Sequence, residues 1–475
     1  MSTNAPEISE TLETDYLIIG CGAVGMAFAD IVLSESDADI VIVDRLHKPG
    51  GHWNHAYPFV TLHQPSAFYG VSSRELSRGL TDQVGLNKGL SDMATGAEVL
   101  AYFDDVMRHQ FLPSGRVRYF PMCEYNGDGE FTSLTGGQRR KVTIRKKIVD
   151  ATWLNTSVPA THTPKFEIEP GVRFMPLNDL PNVTSPPDGY VVLGSGKTGI
   201  DACLWLLSND VAPDAITWVM PRDAWLINRA NVQPSMEFFE QTLGAQATQM
   251  EAMAQATSPD DLFDRLEAAG VLLRIDTERR PTMFHAATVS PLEIEQLRRI
   301  KNVVRMGRVT SLGKDKITLT DGAVPTTRNT IHIDCTASAV SNGAIKPVFE
   351  EGLITPQTIR SYQPVFSSAL IAHIELTRDT DDEKNALSGV VPLPDRDTDW
   401  IRMMVPFMMN QFLWSQDKDL RAWLETNRLD GFTRMVRAVA DDDAPKKAIM
   451  KRMRNNSMGA MANMRKFVEE LDARA

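Results

Sequence analysis

Short, uniformly apolar runs alternate with segments of helical spacing along much of this chain. Tyr16-Leu17-Ile18-Ile19 has no polar position, as expected of a strand covered on both faces. Residues 26–33 read as a helix, and Asp39-Ile40-Val41-Ile42-Val43 as a second strand. The order then repeats. Gly189-Tyr190-Val191-Val192-Leu193 predicts a strand, 200–207 a helix and 215–220 a strand. Repeated strand–helix–strand units predict parallel sheets covered by helices, an α/β architecture. Residues 116–150 read as strands around the turn Asn126-Gly127-Asp128-Gly129, and 308–322 as a hairpin. Residues 234–273 read as inserted helices, the second opened by Ser258-Pro259-Asp260-Asp261, a lid, a subunit contact or a plain surface pair. From Thr377 the character changes. Residues 400–409 are apolar and methionine-rich, and 445–471 predict a basic, then amphipathic, helix.

Both strand–helix junctions carry glycines in one spacing. Gly20-Cys21-Gly22-Ala23-Val24-Gly25 follows the first strand, and Gly194-Ser195-Gly196-Lys197-Thr198-Gly199 the other, 194 − 20 = 174 residues later. Glycines so spaced allow a tight turn, close approach of a pyrophosphate and close helix–strand packing. The helix start then presents free N–H groups to the phosphates. Asp44 ends the next strand, 44 − 25 = 19 residues after Gly25, where a ribose hydroxyl partner is expected. The second unit has Pro221-Arg222 there instead, and an arginine suits a 2′-phosphate. The expectation is FAD on the first unit and NADPH on the second, with Gly194, Gly196, Lys197, Thr198, Gly199 and Arg222 holding the latter. Arg229 is a candidate for the nicotinamide nucleotide or for a surface salt bridge.

Composition narrows the classes. The net charge of −11 argues against nucleic-acid binding or docking on anionic lipid. Cys21, Cys123, Cys203 and Cys335 are widely spaced, which excludes a dithiol reductase, and no zinc motif is present, so no metal site is expected. The polar, acidic start and the lack of about 18 consecutive apolar residues predict a cytoplasmic protein without a membrane span.

After Asp44 and Arg45 come Gly50-Gly51-His52-Trp53, Tyr57-Pro58 and Pro65-Ser66. Here the chain resembles the flavin-containing and Baeyer–Villiger monooxygenase superfamily. That resemblance implies two Rossmann-like dinucleotide-binding domains, FAD and NADPH, with a C-terminal helical extension. The FAD domain would comprise 14–185 plus 330–376, the NADPH domain 186–329 with its insertion at about 234–273, and the extension 377–475. It further implies that Gly20, Gly22, Gly25, Asp44, Arg45, Gly51, His52, Trp53, Cys123 and Ala337 contact FAD, the last in a late strand ending Cys335-Thr336-Ala337. A helix entered at 365–373 would point its start at the flavin. His63 stands where the family has an Asp or Asn beside the flavin, and its ordinary pKa suits proton management near pH 7. Phe174-Met175-Pro176-Leu177-Asn178-Asp179-Leu180 lacks the glycine and histidine of the family's hinge signature.

The resulting expectation is a monooxygenase of a small or medium organic substrate that uses dioxygen. A flavin reductase, dehydrogenase or oxidase that never stabilises an oxygenated flavin stays open, as does a non-catalytic nucleotide binder. A homodimer is open as well.

Overall fold

The computed structural model describes residues 8–338 and 345–473. Residues 1–7 of the polar N-terminal start therefore lie outside the described residues. Two mostly parallel sheets organise the chain. The first runs in the order Phe349–Glu350, Leu353–Ile354, Arg139–Asp150, Ile8–Ile19, Ile40–Val43, Val117–Phe120, with the antiparallel strands Cys123–Gly127 and Glu130–Ser133 branching from Arg139–Asp150. The second runs Val303–Val304, Ile216–Val219, Tyr190–Leu193, Ile331–Asp334, Arg173–Pro176, every pair parallel.

Each sheet places its glycine-turn strand between the next strand in sequence and a late returning strand. In the first, Ile19 lies level with Val43 on one side and Asp150 on the other. In the second, Leu193 lies level with Val219 and Asp334. Strand order reverses at this point, and open α/β sheets bind ligands beside such reversals. The helices Ala23–Glu35 and Lys197–Ser208 then cover their sheets with buried apolar faces.

Three boundaries differ from the expected ones. The first strand begins at Ile8, not near residue 14. Arg173–Pro176, expected in the FAD domain, forms an edge of the second sheet. Ile331–Asp334, expected to return to the first sheet, instead pairs with Tyr190–Leu193. The reason is the shared plan, because the second sheet needs its own returning strand. The chain re-enters the first unit later. Leu353–Ile354 pairs with Arg139–Asp150, and the helix Pro364–Thr377 packs along Ala23–Glu35, where Ser368 donates to the Val24 carbonyl at 2.8 Å.

The helical segments complete the second unit. Phe239–Gln255 and Pro259–Ala268 form the expected insertion, and Ser258 caps the latter by accepting from Asp261 N at 3.1 Å. The terminal helix Ala444–Asp472 packs along Phe239–Gln255. The methionine-rich stretch falls in the helix Asp397–Gln416. Trp400, Met403, Met404 and Met408 join one apolar core with Trp225, Phe263, Met464 and Phe467, so the stretch is chiefly packing. Among the described residues no helix is long and apolar enough to cross a membrane.

Candidate functional site

Both glycine turns adopt one geometry. Gly20 and Gly194 have φ of 96° and 122°, values that an L side chain rarely adopts. Gly20 N donates to the Val43 carbonyl at 2.8 Å, and Gly194 N to the Val219 carbonyl at 3.0 Å. A Cβ on Gly25 would collide with the Gly20 carbonyl, and one on Gly199 with the Gly194 carbonyl. The returning strands close each turn identically. Thr152 donates from N and Oγ1 to Asp150 Oδ1 at 3.0 and 2.6 Å, and Thr336 does the same to Asp334 Oδ1 at 2.9 and 2.6 Å. Cys335 thus lies against Gly194, and Ala337 follows the second turn rather than the first.

The helix starts are open. Gly22 and Gly196 are the N-caps, neither first turn has a side-chain cap, and neither holds an acidic residue. Their N–H groups remain available to an anion.

Around the first turn, Asp44 is buried and accepts from Cys21 N, and from Leu46 N at 2.6 Å. Burial raises its pKa. Each oxygen retains a lone pair for a further donor. Gly51 passes over Gly22, and Gly50 N donates to the Cys21 carbonyl at 2.9 Å, so the Gly50-Gly51 loop lies against the turn. Cys123 N donates to the Asp44 carbonyl at 2.9 Å, which fixes that strand beside the acid. Arg45 points outward, 72% exposed, and pairs with Glu124 at 2.7 Å. Trp53 is buried, donates to Tyr69 Oη at 2.8 Å and stacks on His52 at 5.3 Å.

The two units meet at His63. Lys197, Asp201 and Arg229 from the second unit form its charged surroundings, with the His52 imidazole among the groups that act on it. Desolvation, then the Lys197 cation, lower the His63 pKa to about 3. Burial lowers that of His52 to about 4. Both imidazoles are neutral at pH 7, so the titration near neutrality expected of His63 is absent. Lys197 pairs with Asp201 one helical turn on, and Tyr57 donates to the other Asp201 oxygen at 2.5 Å. That hydrogen bond ties the first unit to the helix that begins at the second turn.

Two other expectations change. Arg229 neither sits at the surface nor is free for a nucleotide. It is fully buried, pairs with Glu293 at 2.9 Å, and donates to the carbonyls of His63 at 3.0 Å and Thr288 at 2.9 Å. Arg222 is already engaged. It makes a two-pronged pair with Asp395 at 2.9 and 2.6 Å. A cavity of about 300 Å³ opens beside this pair, lined among others by Trp153, Gln357, Asp395, Asp399 and Arg402.

Sequence reasoning missed Tyr57 as a bridge, Asp201 and Asp395. Asp201 had a signal, four residues after Lys197 on one helix face. Asp395 had none, being 173 residues from its partner.

No family model matches the chain. A protein of Mycobacterium tuberculosis and one of Mycobacterium bovis, both described only as uncharacterized, are each 50% identical over 422 residues, covering 89% of this chain and 78% of theirs. Among solved structures, a flavin monooxygenase from Stenotrophomonas maltophilia is 13% identical, covering 79% of this chain and 99% of that one, with a TM-score of 0.44. The OTEMO complex with FAD and NADP is 14% identical over 76% and 83% of the two chains, with a TM-score of 0.49. The closed crystal structure of cyclohexanone monooxygenase is 13% identical over 94% and 99%, with a TM-score of 0.44. At these scores the structural likeness carries no functional argument.

Proposed function

The chain belongs to the family of these mycobacterial proteins, and from that premise we propose that it is an FAD-dependent, NADPH-using oxidoreductase, a monooxygenase of a small or medium organic substrate. One observation carries the reading: two open glycine turns of matching geometry, on two units joined by Tyr57, Asp201 and His63. The residues fit the cofactors. An uncapped helix start and the collision-limited Gly25 leave room for a pyrophosphate only where side chains are absent. Asp44 would offer acceptors to ribose hydroxyls beside the first turn, and Gly196 leaves the second helix start open to a pyrophosphate in the same way as Gly22.

FAD and NADPH, when bound, supply hydride transfer, and dioxygen is the co-substrate. The chain's own part is positioning. Tyr57 and Asp201 hold Lys197 at the seam between the units. Arg229 fixes the His63 backbone through its carbonyl. Neutral His63 can donate one hydrogen bond from its single N–H and accept another, but it carries no positive charge at pH 7. Trp53 and Tyr69 form a buried aromatic wall that excludes water.

The test is spectroscopic. The purified chain should carry a flavin absorbing at roughly 450 nm. NADPH should bleach it, and oxygen should restore it with one hydroxylated or oxygenated product per NADPH. A colourless protein that takes up no FAD would sink the proposal. A flavin reductase or oxidase is the second reading, favoured by a neutral His63 where the resembling superfamily has an Asp or Asn. Peroxide in full yield without product would select it.

A further inference from the structure

Arg222 follows the strand Ile216–Val219 at the ribose end of the second turn, and an anion from a distant part of the chain already sits on it. The Asp395 carboxylate spans both guanidinium nitrogens, at 2.9 and 2.6 Å, and His285 Nε2 lies 2.7 Å from the same Oδ1. This two-pronged geometry is also the one a phosphate takes on arginine. Asp395 is held by its backbone as well. Phe284 N donates to its carbonyl at 3.1 Å, and its own N donates to Asp399 Oδ2 at 3.1 Å. The pair is nonetheless reachable, with the Arg222 and Asp395 side chains 29% and 38% exposed, and Asp395 also forms part of the wall of the 300 Å³ cavity.

We propose that Asp395 is a tethered stand-in for the 2′-phosphate of NADPH, displaced from Arg222 when that cofactor binds, and that it thereby sets the preference between NADPH and NADH. The inference rests on the second turn being a dinucleotide site. NADPH must exchange one anion for another on Arg222. NADH brings no phosphate to that position and leaves the Arg222–Asp395–His285 contact closed. Asp395 is therefore a specificity-determining residue contributed by the C-terminal region, and its role is opposed to that of Arg222.

The experiment is calorimetric titration of the full, flavin-loaded chain with NADP⁺ and with NAD⁺, which reads binding without turnover. Asp395→Asn, which keeps the side-chain shape and removes the charge, should tighten NADP⁺ by about tenfold. It should leave NAD⁺ within about twofold. Arg222→Ala should weaken NADP⁺ and, combined with Asp395→Asn, erase the gain. His285→Ala is a second and milder probe. It loosens Asp395 without removing its charge and should tighten NADP⁺ by about twofold, so the inference stays testable if Asp395→Asn folds poorly. An NADP⁺ affinity that is unchanged or weaker in both variants, with NAD⁺ still bound, overturns the exchange alone. Failure of every protein to bind either dinucleotide overturns the nucleotide reading, and the exchange with it.

Discussion

The first and second units share a turn and differ in what meets the second strand's end. Each has a left-handed glycine, a glycine N-cap, a glycine against a carbonyl and an Asp-x-Thr closure. In the first unit the strand's own Asp44 turns back onto the turn and receives Cys21 N and Leu46 N. In the second a cation stands there and is satisfied from outside the unit, by Asp395. Backbone geometry is thus fixed by local glycines. The charge that stands at the strand's end is matched by groups that local sequence need not supply.

The largest effect should come at the seam. Glu293→Gln leaves the buried Arg229 cation without its partner and should cost about 3–5 kcal/mol of stability, read by chemical denaturation. A loss under about 1 kcal/mol would mean that Arg229 is solvated and the seam is loose. Next, Gly25→Ala and Gly199→Ala each force a Cβ onto a carbonyl, an overpacking cost of about 1–3 kcal/mol at the turn. The first should yield protein without bound flavin, and the second protein that keeps flavin but is not reduced by NADPH. If both lose flavin equally, the two turns do not have separate duties.

A third effect follows from the neutral imidazoles. His63 and His52 have folded pKa values below the ordinary value of 6.5, so the unfolded chain binds their protons more readily. The stability they contribute is present above about pH 6.5 and is lost as pH falls toward 4 and 3. Stability should therefore fall with pH over that range, and His63→Gln should flatten the fall measured by thermal melts. The smallest effect belongs to Arg45. Its pair with Glu124 is exposed, so Arg45→Ala should shift stability by less than about 1 kcal/mol. A marked loss of flavin affinity in that variant would instead give Arg45 the cofactor contact that the sequence resemblance implies.

Much of this was legible along the chain. Uniform apolar runs reported both central strands because parallel strands are covered on both faces, and glycine spacing reported both turns because only glycine fits there. The returning strand was misassigned for the same reason. Ile331-His332-Ile333-Asp334 reads equally well as the fourth strand of either sheet, and pairing is a tertiary decision. The charge state of His63 is illegible because desolvation by the packed fold, and then Lys197 from far along the sequence, lower its pKa. Arg222 is visible in the sequence as a cation after the second strand, but its partner, Asp395, comes from a segment without a motif.

The packing of the terminal helix has a consequence for synthesis. Asn463 bonds the Met253 and Ala256 carbonyls at 2.7 and 2.8 Å, across 210 and 207 residues. On a ribosome adding about 5–20 residues per second, the insertion helices emerge on the order of 10–40 seconds before the helix that covers them. The face of Phe239–Gln255 that meets the terminal helix, including Met253, lacks that cover through the interval. The second unit therefore completes its helical core only when the last stretch of the chain has been made.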